Sequence, residues 1–517
     1  MDQYLYGANV NQIQSFIFET SRLKEIVGAS ELVEQICKQK FIDAVNATSS
    51  GYKEANLLIG AAGKITYIFE HQQDCQVVLH TFQKSVLEEI PGLSFSQAVV
   101  KFNSTLQQDD FHELEKRLGL QRHRQRTQHG LGLMISERSR RTGGAAFRIE
   151  KTEDGTNYLD RRQHQKIKYH EESKHTLLEK MLGDTLVDQA AFATEIEYLL
   201  EDQKQGWIAI VHADGNNLGT IIKQVRTELI ANKGDLQDFS RLFSKKLDEA
   251  TIAAAQDAYK QTVDPVFQNE TIFNAENGRT TYLPIRPVIL GGDDLTVIIR
   301  GELALGFTEA FLKGFEHHTK NKFAELATQF KLNNLGAGLS ACAGIAYIKP
   351  KYPFHYGVNL ADVLCKEAKE RAKADATVRA KDFPGFTVQS ALMFHRVLSS
   401  FVEDDFEPLA ERELNTNSGI GFDYGPYFIE KQVYYSSTSE LRDWVKYISE
   451  DDAPKAPLRE WLTALDSDKA SAEQLMERIK SINKSYIEKL GLNKPFDPRG
   501  KTTHLYDVIT IASIEKK

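Results

Sequence analysis

The sequence predicts an α+β protein built on two copies of one β–α–β–β–α–β unit, and three observations carry that prediction. YLYGANVNQIQSFIF and IAIVHADGNNLGTII each read as an apolar strand that breaks into a short polar turn and enters an amphipathic stretch. Downstream, Ala61-Ala62-Gly63-Lys64-Ile65-Thr66-Tyr67-Ile68-Phe69 matches Gly291-Gly292-Asp293-Asp294-Leu295-Thr296-Val297-Ile298-Ile299, each a small-residue turn leading into a β-rich strand, the signal of a hairpin. Between strand and hairpin both copies carry a helical pattern, SRLKEIVGASELVEQICKQKFIDAV and DFSRLFSKKLDEATIAAAQDAYKQ. After each hairpin come another amphipathic helix and a strand, LSFSQAVVKF and LSACAGIAYI. This order is the ferredoxin-like split βαβ arrangement, with the first strand expected in the centre of the sheet beside the hairpin's first strand.

Four segments follow in order. The first unit is placed at 1–117 and a basic connector at 118–200, with Arg122, Arg124, Arg126, Arg138, Arg140, Arg141, Arg161 and Arg162. The second unit is placed at 201–389. From about 390 the pattern reads as helical, with SELRDWVKYISE, PLREWLTALD and AEQLMERIKSINKSYIEKL, so 390–517 is expected to be a helical domain.

Composition limits the function classes. The 517 residues are 41% hydrophobic and 26% charged, with a net charge of −8, so the chain folds and is no general nucleic-acid coat. Contact with polyanions must come through local basic patches or bound cations. Cys37, Cys75, Cys342 and Cys365 have no C-x₂₋₄-C spacing and read as buried, reduced thiols. No basic and apolar leader opens the sequence and no apolar run approaches ~20 residues, so a cytoplasmic protein is expected.

The chemistry concentrates in the second unit. Asp214 ends an apolar strand and Asp293-Asp294 sit at a hairpin tip, and the predicted topology brings both to one sheet edge. Three carboxylates converging there repel one another, and a divalent cation removes that cost. Mg²⁺ takes one or two protein carboxylates and fills its remaining positions with water and substrate phosphates, and two such ions clamp an in-line phosphoryl displacement. Gly291 and Gly292 permit a tight turn and close approach of a nucleotide, as does Gly215. On the helix LADVLCKEAKERAK, Lys369 and Lys373 stand one turn apart and could both reach a triphosphate. The first unit has Asn9 in place of Asp214, and Gly63-Lys64 in place of Asp293-Asp294, so it cannot hold the same metals.

IQSFIFETSRLKEIVGASELVE, ADGNNLG, ILGGDDLTVII and LADVLCKEAKERAKA, taken in order over residues 1–400, resemble the large polymerase–cyclase subunit of type III CRISPR effectors, the Cas ten family. The resemblance implies two palm domains and an enzyme that converts ATP, with Mg²⁺ or Mn²⁺, into cyclic oligoadenylate messengers. It makes Asp214, Asp293 and Asp294 the metal ligands of a catalytic second palm. Gly215, Asn216, Asn217, Gly291, Gly292, Lys369 and Lys373 then become nucleotide-binding, and Gly28-Ala29-Ser30 lines the first palm's pocket. Guide RNA and other effector subunits are the implied partners, or a second copy if the enzyme stands alone. Two departures follow. No HD nuclease dyad is found, and the stretch where the family carries a zinc module has no cysteine, so no zinc is expected. His129, His164 and His170 are read there as exposed loop histidines. A silent RNA-binding scaffold, with the connector arginines as its contact, is the alternative; a template-dependent polymerase is a distant third.

Overall fold

The computed structural model describes the chain apart from residues 1, 104, 124–134, 153–154, 173–174, 201–205, 233, 277–278, 334, 381–386, 399–404, 433–434, 498–499 and 516–517. Arg124, Arg126 and His129 therefore lie outside the described residues.

The first palm runs β1 (Asp2–Asn11), α1 (Leu23–Gln35), β2 (Leu57–Ala61), β3 (Lys64–Phe69), α2 (Gln72–Glu89) and β4 (Ser94–Asn103). Its sheet order is β2-β3-β1-β4, the ferredoxin-like order. The first strand thus lies beside the hairpin's second strand, not its first as the sequence suggested. The antiparallel ladder fixes this: β1 runs from Tyr4 opposite Phe69 to Asn9 opposite Lys64. The end of β1 and the hairpin tip still meet at one edge.

After α3 (Gln108–Arg122) the connector folds as a hairpin of β5 (Arg148–Thr152) and β6 (Gly155–Leu159), followed by α4 (Arg161–Glu172) and α5 (Thr176–Leu182). A hydrogen-bonded clasp closes it. Ser139 Oγ donates to Gln163 Oε1 at 2.6 Å, and Thr142 Oγ1 donates to Asp160 Oδ2 at 2.6 Å, so the two segments interlock through paired side chains. Several connector arginines dock this domain on the first palm. Arg141 pairs with Glu25, Arg162 with Glu19 at 2.9 Å, and Arg161 donates to the Glu88 carbonyl at 2.9 Å. His164 and His170 are not loop histidines: both lie on α4, and His170 is buried. The helix turns that face inward because α4 packs closely along α1. A Cβ on Gly28 would fall 1.8 Å from the Lys166 carbonyl oxygen, so only glycine permits this approach.

The second palm runs β7 (Ile208–Gly215), α6 (Leu218–Ala231), α7 (Leu236–Ala258), β8 (Ile285–Gly291), β9 (Asp294–Arg300), α8 (Gly301–Phe330), β10 (Ala341–Ile348) and α9 (Phe354–Arg379). Two more strands, β11 (Ala391–Arg396) and β12 (Tyr427–Phe428), extend the sheet to β12-β11-β10-β7-β9-β8. The helical pattern expected from about 390 is thus corrected: β11 pairs parallel with β10. Its first four residues, ALMF, form a continuous apolar run without period-two alternation, as in strands covered on both faces. Along β7, Ala209, Val211 and Ala213 face one core with α7 and α8, while Ile208 and Ile210 face the other with α9. The remaining chain forms α10 (Thr438–Ser449), α11 (Lys455–Ser467), α12 (Lys469–Ile482), α13 (Lys484–Lys489) and α14 (Leu505–Ile514), as its amphipathic pattern predicts. No helix among the described residues is long and apolar enough to cross a membrane. All four cysteines are buried and free.

The palms embrace reciprocally. Helix α1 of the first packs on β8 of the second, and the equivalent α7 of the second packs on β2 of the first. This brings the two hairpin tips together.

Candidate active site

In the register of β7 and β9, Ala213 lies opposite Leu295, which sets Asp214 beside Asp294. Gly291 pairs with Asp294, leaving Gly292 and Asp293 as a two-residue turn. Gly292 has φ +64°, a left-handed geometry that glycine adopts without strain. Asp214, Asp293 and Asp294 each present a ligand oxygen, all within 4.8 Å of one another. Gly215 makes this closeness possible, since a Cβ there would lie 3.0 Å from Asp293 Oδ2.

Two residues that sequence reasoning missed hold the tip from beneath. The Gly292 N–H donates to Asp248 Oδ1 at 3.0 Å, and Thr251 Oγ1 donates to the Gly292 carbonyl. Both lie on α7, three residues apart. A polar pair among Leu247, Ala250 and Ala254 on a buried helix face was the available signal.

Burial pushes the carboxyls of Asp293 and Asp294 up to about 7, and the charges of their neighbouring aspartates add to it. Lys369 forms an ion pair with Asp214 and donates to the Gly215 carbonyl at 3.0 Å. Burial works against its ammonium, yet the Asp214 charge and hydrogen bond keep its pKa above the ordinary lysine value. Three hard oxygen donors, crowded against their mutual repulsion, suit a divalent cation of the Mg²⁺ or Mn²⁺ type.

Beside the trio opens a cleft of about 1070 Å³, lined by Asn216, Asn217, Ser340, Lys373 and Lys320 among others. Asn216 is buried, its Nδ2 donating to Ser340 Oγ at 3.0 Å. The fold therefore gathers Asp214, Gly215, Gly291, Gly292, Asp293, Asp294 and Lys369 at one point, and sets Asn216, Asn217 and Lys373 on the adjoining cleft. Ser30 stands elsewhere. It is buried in the palm–palm contact, its hydroxyl donating to the Val288 carbonyl of β8.

The first palm repeats the frame without the acids. Ala61 pairs with Lys64 as Gly291 pairs with Asp294, and Asn9 lies opposite Lys64. Asn11 Nδ2 donates to Ser94 Oγ at 3.3 Å, the counterpart of the Asn216–Ser340 bond.

Residues 207–378 match the family model described as Cas10/Cmr2, second palm domain. Comparison with curated proteins gives no match. Among solved structures, the chain is similar to the Csm1-Csm4 cassette in complex with cA4, with 13% identity and a TM-score of 0.53, over 100% of this chain and 70% of that one. It is similar to the cassette in complex with pppApA at 12% identity and a TM-score of 0.52, over 100% and 69% of the two chains. With AMPPNP the values are 11% and 0.52, over 100% and 70%. At such identities the likeness is one of fold.

Proposed function

We propose, from the match of residues 207–378 to the second palm domain of the Cas10/Cmr2 family, that the chain is a metal-dependent nucleotidyltransferase. It joins ATP molecules and closes them into cyclic oligoadenylate-type messengers for antiviral defence. The observation that carries this reading is the convergence of Asp214, Asp293 and Asp294 at the sheet edge beside an open cleft. The similar cassettes, by their names, are in complex with cA4, pppApA and AMPPNP, which favours an adenine nucleotide as substrate.

In each step a ribose hydroxyl attacks an α-phosphate and pyrophosphate leaves. Divalent cations, when bound, neutralise charge on the phosphates and lower the pKa of the attacking hydroxyl. Asp214, Asp293 and Asp294 would hold them. The chain's own contributions are positional. Asp248 and Thr251 fix the Gly292 turn, and the absent side chains of Gly215 and Gly292 let Asp293 and the first palm's Ala62 come close. Lys369 keeps Asp214 aimed at the trio until substrate phosphates compete for its charge. Lys373, Asn216 and Asn217 line the space a nucleotide would fill.

The test is mass spectrometry of products formed from mixed NTPs with Mg²⁺ or Mn²⁺, with and without candidate activators. Cyclic or linear oligoadenylates from the wild type, lost in Asp293→Asn plus Asp294→Asn, support the reading. Undiminished product from that double variant contradicts it.

A further inference from the structure

We propose that Lys64, on the hairpin of the first palm, is a substrate-binding residue that contacts the triphosphate of the nucleotide held at Asp214, Asp293 and Asp294. This rests on the reading of the second palm as a nucleotide–metal site.

Placement is the first argument. Lys64 begins β3 as Asp294 begins β9, and each closes its hairpin turn against a small residue, Ala61 and Gly291. The reciprocal packing of the palms sets these two turns against each other. A Cβ built on Gly291 would lie 3.8 Å from Ala61 Cβ, and one on Gly292 would lie 3.7 Å from Ala62 Cβ. The tips are therefore in contact across the seam, and Lys64 follows directly on one of them.

Charge is the second argument. Lys64 is exposed, and it occupies in the first palm the hairpin position that Asp294 occupies in the second. Lys369, a lysine of the second palm at the trio, is already paired with Asp214. Three carboxylates and a triphosphate together carry more negative charge than two divalent cations neutralise. A further cation facing the trio offsets part of that excess. A lysine fits this position, because a compact charge with three donors on a flexible stem binds phosphate without demanding a fixed geometry.

Symmetry is the third. Had the first palm kept an acid at this position, the seam would confront the trio with another negative charge. Lysine sets the opposite sign at the same point of the fold. The first palm thereby presents a phosphate-facing wall to the metal site of the second.

The experiment separates nucleotide binding from metal binding and from turnover. Equilibrium binding of α,β-methylene-ATP in Mn²⁺ is measured for the wild type, Lys64→Gln and Lys64→Arg. Binding of Mn²⁺ alone is followed by electron paramagnetic resonance, and folding by thermal denaturation. The expected result is a loss of about tenfold in analogue affinity for Lys64→Gln, largely recovered in Lys64→Arg, with Mn²⁺ alone held at least as tightly as by the wild type. Analogue affinity within about twofold of wild type in Lys64→Gln overturns the inference and leaves the reading of the second palm intact. Loss of Mn²⁺ binding in step with the analogue also overturns it, since Lys64 would then shape the hairpin. A wild-type chain that holds neither Mn²⁺ nor analogue overturns the underlying reading, and the inference with it.

Discussion

Replacing Asp294 by Asn should stabilise the metal-free protein while removing its activity. The carboxyl is pushed from 3.8 to about 7, first by burial and then by the charge of Asp214. An acid with a raised folded-state pKa holds its proton more tightly when folded. Between pH of about 4 and about 7 the folded chain therefore binds more protons than the unfolded chain, and stability falls as pH rises. Above about pH 7 the penalty is complete. Three pK units at ~1.4 kcal/mol each give about 4 kcal/mol as an upper bound. Asp293 is raised by the same surroundings and titrates with Asp294 as a pair, and both keep partial solvent exposure that screens them. About half the bound, roughly 2 kcal/mol, is the working figure. Asn keeps the shape and discards the charge. Chemical denaturation in EDTA at pH 8 should show Asp294→Asn more stable than the wild type by about that amount, with the gap closing near pH 4. Millimolar Mg²⁺ should narrow or reverse it, because the folded wild type then gains binding free energy. A variant less stable than the wild type in EDTA at pH 8, or a difference indifferent to pH, would refute the reasoning.

Three further outcomes follow from the packing. Gly28→Ala drives a methyl into the Lys166 carbonyl and should cost about 3 kcal/mol, seen as early unfolding in a thermal scan; unchanged stability would mean α1 and α4 do not pack as described. Ser139→Ala removes its bond to Gln163 from the buried clasp and should cost about 2 kcal/mol, with faster amide hydrogen exchange confined to the connector. Asp248→Ala frees the Gly292 N–H and should lower Mn²⁺ affinity and turnover together by about tenfold, whereas Asp248→Asn, which retains an acceptor oxygen, should recover most of both.

Much of the fold was legible because its signals are local and repeated. Strand, helix and hairpin recur in one order, while the neighbour of the first strand was misread: it pairs with the hairpin's second strand, which sets Asn9 opposite Lys64 and Asp214 beside Asp294. The trio was legible because acids stood at a strand end and at a turn tip, two positions a split βαβ unit must bring together. What failed was information held by other parts of the chain. Gly28-Ala29-Ser30 looked like pocket lining, yet Gly28 admits α4 and Ser30 bonds to β8, neither of which is near in sequence. Arg141 and Arg162 looked free for RNA, yet their acidic partners Glu25 and Glu19 lie more than a hundred residues earlier. Asp248 and Thr251 lie on a helix, where a polar pair on a buried face signals a partner without saying which turn it grips.

The most direct measurement is anomalous diffraction from crystals grown with Mn²⁺ and α,β-methylene-ATP. The account predicts manganese peaks within bonding distance of Asp214 and the Asp293–Asp294 tip, with the triphosphate on the same ions and its tail toward Lys64. Nucleotide bound with its metal elsewhere, and the three aspartates bare, would contradict it.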